Sequence, residues 1–167
     1  MTTECDGKEV VLGNEQMADM LFAATQEVFT SMLGSDGERL PEPETGQSAS
    51  FDGVLSLIGL VGPVVGNGAL VCSAEVACDL SSRLLMAEFS AINEEVLDAV
   101  GEITNMIIGG FKNLLESHIG RVQMSTPSVI YGKNIATRNS GANVVVAVRC
   151  GYPGGELGLK IRLAARA

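Results

Sequence analysis

Tryptophan is absent from this chain, and aromatic residues make up only 4% of its 167 positions. A core must therefore come from Val, Leu, Ile, Ala and Met, within an apolar content of 46%. Basic residues are also scarce, at 11 against 20 acids, for a net charge of −9. That balance argues against a nucleic-acid binder, which would need a basic patch, and against contact with anionic membrane surfaces. No stretch of eighteen apolar residues occurs, so no helix is expected to span a bilayer. Histidine occurs once, as His118, and no Ser or Thr has a His partner in a nucleophile motif. Without a four-helix-bundle pattern, His118 reads as a cation at a helix C-terminus and not as a phosphotransfer residue. P-loop and dinucleotide fingerprints are missing apart from a lone Gly-Asn-Gly. The four cysteines, Cys5, Cys72, Cys78 and Cys150, have irregular spacings and no nearby His, which argues against zinc. The opening MTTECDGKEV has no signal-peptide character, so reduced packing thiols and a cytoplasmic location are expected.

What the chain does contain is one long periodic segment, Asn93 to Ile119. Val96, Val100, Ile103, Ile107, Phe111 and Leu114 recur at steps of three or four, with Leu97, Ile108 and Leu115 widening the stripe. Asn93 stands at the N-cap position with two acids after it, and Gly120 stands beyond the far end. At about 100° per residue, Glu102 and Asn105 fall opposite the stripe and adjoin one another. Asp98 lies a turn before and Gly109 a turn after. A mid-helix glycine costs about 1 kcal/mol relative to Ala, and close approach of another backbone would justify it. The face reads either as a docking surface or as a solvated polar face with incidental glycines. Met106 and Met20 read as packing or interface residues.

The length suits one domain, 1–167, with residues 1–13 a loose leader in which KEVVL could form a short strand. Asn14 is expected to cap a helix over Glu15–Leu33 that ends at Gly34, with Met17, Leu21, Ala24, Val28 and Met32 inward. Residues 35–50, rich in Pro and Gly, read as a flexible inserted loop. Strands are expected at Phe51–Val61 and Gly68–Cys72, with Asn67-Gly68 as a turn dipeptide between them and with Gly62-Pro63 and Gly66 loosening the connection, which leaves the register open. A helix capped by Ser73 runs to about Met86, with Ala74, Ala77, Leu80 and Leu84 inward. After the long helix come strands at Val122–Ser125, Ala142–Cys150 and Glu156–Leu163. Pro127 interrupts pairing before PSVIYGK. The Val/Ala run from Ala142 to Val148 suggests a central strand covered on both faces. Ala24–Gly34 aligns without gaps on Ala99–Gly109, placing Glu27 on Glu102 and Thr30 on Asn105. This reads as an internal duplication or as chance likeness between two amphipathic helices.

DAVGEITNMIIGG, followed by STPSVIYGK, resembles the E-x-x-N helix of the CheC/CheX/FliY chemotaxis phosphatases, most of all the CheX branch. The element order from about Glu15 to Leu163 is similar as well, apart from the insertion at 35–50. The resemblance implies an α/β (α+β) fold with a pseudo-twofold, in which a largely antiparallel sheet is covered by long helices. It implies a homodimer, and hydrolysis of the aspartyl phosphate on a CheY-like response regulator. Asn105 would position the attacking water and Glu102 would pair with the receiver's Lys. Asp98, Gly101 and Gly109 would line the docking face, the two glycines by inference from the wheel. No cofactor or metal of its own is implied, since the receiver supplies Mg²⁺. Thr30 replaces the carboxamide in the earlier copy, so one site per chain is expected. A non-catalytic receiver-binding adaptor of the same fold is the rival reading, and a structural dimer with no receiver partner is a third.

Overall fold

The computed structural model describes every residue except 1, 6–7, 43–49, 139–140, 142–143 and 167, and of residues 3–5 and 8–10 the backbone alone. Where a loose leader was expected, β1 (Thr2–Cys5) and β2 (Lys8–Val11) pair as an antiparallel hairpin. Helix α1 (Asn14–Met32) follows, with Gly13 at the N-cap and no side-chain cap, so Asn14 lies inside the helix. Gly34 sits just beyond α1 at φ +60°, the left-handed conformation expected of a terminating glycine.

Strands β3 (Glu38–Leu40), β4 (Phe51–Val61), β5 (Val64–Cys72), β6 (Gln123–Met124), β7 (Ser128–Ile135), β8 (Val144–Tyr152) and β9 (Gly155–Ala165) form one sheet. Every pairing in it is antiparallel, in the order β3-β8-β9-β5-β4-β6, and β7 also pairs with β4. Helices α2 (Ala74–Leu85) and α3 (Glu94–Ile119) pack with α1 on one face of this sheet, in a single core. Leu70, Val146, Leu159 and Ile161 meet Leu21, Phe29, Ile107 and Phe111 in it.

The topology carries an internal twofold. Exchanging β3 with β7, β4 with β8 and β5 with β9 turns the order β3-β8-β9-β5-β4-β7 into its own reverse. The same exchange relates α1 to α3, which is the pair of helices aligned in sequence. The two helices meet closely: a Cβ at Gly110 would lie 3.1 Å from the Ala24 Cβ. Part of the supposed insertion is thereby explained. Residues 38–40 are the counterpart of β7 and pair with β8 at the sheet edge, and residues 43–49 lie outside the described residues.

Two further expectations need correction. The turn between β4 and β5 is at Gly62-Pro63, not Asn67-Gly68, which lies mid-strand opposite Gly59 and Ile58. The glycine at 68 serves close packing instead: a Cβ there would stand 2.8 Å from the Ile108 side chain of α3. Strand β8 is not covered on both faces. Its residues alternate between buried and open, with Val145 45% exposed, because all three helices lie on the other side.

Candidate functional site

Helix α3 begins at Asn93, whose side-chain Oδ1 accepts from the Val96 N–H at 2.9 Å, with Glu94 and Glu95 in the first turn. It ends at Gly120, whose N–H donates to the Glu116 carbonyl at 3.0 Å. Past that end, the Glu116 carboxylate accepts from the Val122 N–H at 2.8 Å and from Lys112 Nζ at 3.1 Å. Those bonds, the backbone one first, hold the Glu116 carboxyl below its ordinary pKa. Val96, Val100, Ile103, Ile107, Phe111 and Leu115 are all fully buried. Leu114, expected in the stripe, is 42% exposed, since Leu115 continues the inner row after Phe111. The wheel is thus anchored by its apolar side, and the polar side is forced outward.

Asp98 and Glu102 are exposed on that outer side, and Asn105 and Gly109 are half-buried. The helical spacing brings all four onto one ridge. Neither Glu102 nor Asn105 has a hydrogen bond or ion pair to any described residue. The polar atoms of both side chains are therefore without a partner among the described residues. In the earlier copy, Glu27 and Thr30 are also exposed on α1, but Thr30 Oγ1 donates back to the carbonyls of Gln26 at 3.0 Å and Glu27 at 3.2 Å. A hydroxyl spent on its own helix, on a shorter side chain, is not equivalent to a free carboxamide.

The glycines divide. Gly101 is buried: a Cβ there would meet Val129 at 3.3 Å and Pro127 at 3.4 Å, so its bare backbone accommodates this chain's own β6–β7 segment and not a partner. At Gly109 a Cβ would meet nothing closer than the Met124 Cε at 3.7 Å, an ordinary contact. The segment from Met124 to Val129 thus walls one flank of the ridge. The sequence places Pro127 as a strand breaker but carries no signal that it covers Gly101. His118, at the far end of the helix, approaches the Leu114 carbonyl with its Nδ1 at 3.1 Å.

Other reactive groups are quiet. Cys72, Cys78 and Cys150 are buried free thiols, and burial pushes Cys72 up to about 12 and Cys150 up to about 11. Tyr152 donates to Asp79 Oδ2 at 2.8 Å beneath the Arg83 guanidinium, and burial raises its phenol pKa. Among the described residues, no group of three or more His, Cys, Asp or Glu could hold a metal ion. No described helix is long and apolar enough to cross a membrane.

A pseudo-twofold antiparallel sheet under paired helices, with a free carboxylate and carboxamide three residues apart on the later helix, defines a class of helix-borne polar sites. The model of the family described as chemotaxis phosphatase CheX matches residues 54–150, more than half of the chain, and the chain belongs to that family. It is 25% identical over 134 residues to the CheY-P phosphatase CheX of Thermotoga maritima, covering 75% of this chain and 82% of that protein. Its fold is similar to that of the chemotaxis protein CheX from Vibrio vulnificus, with a TM-score of 0.78 at 24% identity over 92% of this chain and 100% of the other. It is also similar to the CheX of Borrelia burgdorferi, whose structure is a CheX-CheY-BeF3-Mg+2 complex. There the TM-score is 0.73 at 23% identity, over 87% of this chain and 96% of the other.

Proposed function

We propose that this protein is a phosphatase that hydrolyses the aspartyl phosphate of a CheY-like response regulator. The observation that carries the reading is the outward Glu102–Asn105 pair, with both side chains free of partners among the described residues, in a chain of the CheX family. The activity in the name of the Thermotoga relative and the partner in the Borrelia complex support the same substrate class.

Phosphoryl transfer of this kind needs an in-line water and neutralisation of charge on the phosphoryl oxygens. The receiver brings the phospho-Asp, a Lys and Mg²⁺, so this chain needs no metal or cofactor of its own. A carboxamide at 105 can accept from the water and donate to a phosphoryl oxygen at once, with no charge to repel the anion. Glu102, one turn back on the same ridge, would pair with the receiver's Lys and hold α3 in register. On this reading neither side chain acts as a nucleophile, so no covalent intermediate is expected on this protein. Asp98 and Gly109 extend the docking ridge. Thr30, engaged by its own helix, leaves one site per chain. On this reading the protein works in the cytoplasm with its receiver. The homodimer that the resemblance implies is tested by light scattering.

The test is single-turnover dephosphorylation of a phosphorylated CheY-like receiver, with wild type and with Asn105→Ala. Loss of one positioning contact should slow catalysed hydrolysis by about 100-fold or more, with thermal stability and receiver binding nearly unchanged. Binding without acceleration by wild type would support the adaptor reading instead.

A further inference from the structure

The helix-free face of the sheet carries a cavity of about 520 Å³, within the range of small-molecule sites. Its floor is apolar, made by Leu55, Val71 and Ala147, with Phe51 at its edge. Its charge runs against that of the molecule. Arg138, Arg149, Lys160 and Arg162 line it, and Glu42 is the only acid among its described lining residues. Four of the chain's 11 basic residues thus converge here although the chain carries a net charge of −9.

Arg162 is the decisive residue. It is 8% exposed, and its buried Nε has no hydrogen-bond partner among the described residues. Burial pushes its guanidinium pKa down. A buried guanidinium N–H without an acceptor is costly, and folded proteins seldom leave one so. Asn67, its register partner on β5, also has a buried Oδ1 with no partner among the described residues, so the two do not satisfy each other. Arg149 is already occupied, donating to Glu156 Oε2 at 2.7 Å and to the Pro41 carbonyl at 2.9 Å. Lys160, on the same side of β9 as Arg162, is without an ion pair to any described residue.

We propose that this cavity is a binding site for a small amphiphilic anion, an aromatic or alkyl body carrying a carboxylate, phosphate or sulfonate. Arg162 supplies the charge-assisted hydrogen bonds and Lys160 a second cation, while the body lies on the apolar floor. The site is on the opposite face of the sheet from α3 and is independent of the phosphatase reading.

The probe is 8-anilinonaphthalene-1-sulfonate, with N-phenyl-1-naphthylamine as its counterpart lacking the charge, titrated by fluorescence into the full chain. The sulfonate should bind at one per chain and more tightly than the neutral compound. Arg162→Met should weaken the sulfonate by about 10- to 100-fold and leave the neutral compound unchanged. Without ligand, Arg162→Met should also raise the thermal midpoint, because an unpaired buried charge is removed. Lys160→Gln, at a half-buried position, should weaken the sulfonate severalfold and serves if Arg162→Met does not fold. Equal loss of both compounds, a lowered midpoint in a folded Arg162→Met, or sulfonate affinity untouched by either variant would overturn the site. So would binding that disappears as protein concentration rises, since a second copy would then be what covers this face.

Discussion

Gly109→Ala separates the docking ridge from the stability of the chain that bears it. The position is inside α3 and half-buried, and an added Cβ would touch only the Met124 Cε, at 3.7 Å. Within this chain the substitution is therefore free of steric cost. Replacing a mid-helix glycine by alanine should stabilise by about 1 kcal/mol, which for a chain of this size raises the thermal midpoint by about 2–4 °C. If the ridge docks a receiver closely, the same methyl group overpacks the complex. Overpacking costs about 1–3 kcal/mol, or roughly a 5- to 150-fold rise in KM, with kcat less affected because Asn105 is untouched. The assay pairs thermal unfolding with steady-state dephosphorylation of a phosphorylated receiver. A raised midpoint with an unchanged KM would remove Gly109 from the docking face. A lowered midpoint would refute the packing argument itself.

The remaining predictions concern the scaffold. Gly68→Ala should destabilise by about 1–3 kcal/mol in chemical denaturation, because its Cβ would stand 2.8 Å from Ile108 with the tightly packed α3 behind it. Glu116 has a depressed pKa in the folded state, so its bonds to Val122 and Lys112 contribute at neutral pH and are lost as pH falls below about 4.5. Glu116→Gln should accordingly flatten part of the acid limb of the midpoint-against-pH curve. Cys72 and Cys150, with pKa values pushed up to about 12 and about 11, should resist a thiol reagent at pH 8 until the chain unfolds. Fast labelling of either in the native protein would contradict their burial.

The long helix and its polar ridge were legible because periodicity, cap and apolar stripe are local and agree with one another. Asn93, the inner row from Val96 to Phe111 and the Glu102–Asn105 spacing all follow from a repeat of about 3.6 residues per turn. The duplication was visible in the matched helices for the same reason. Other features were not local. Gly68 looks like a turn residue, and Gly66 like a loosening of the connection, until Ile108 and Arg162 are brought against them from distant parts of the chain. Gly101 looks outward on a wheel, yet Pro127 and Val129 cover it.

Composition and patterning by themselves therefore determined the aliphatic packing and the helix that presents Glu102 and Asn105, while the α/β fold was implied by the resemblance that this helix and its neighbours carry. The tertiary structure alone decided which glycines are spent on internal contacts, that β3 mirrors β7 across the sheet, and that Val145 and Arg162 lie on a face no described helix covers. Strand alternation says only that two faces exist. Which one is covered depends on how the helices pack, and that is settled by contacts between residues far apart in sequence.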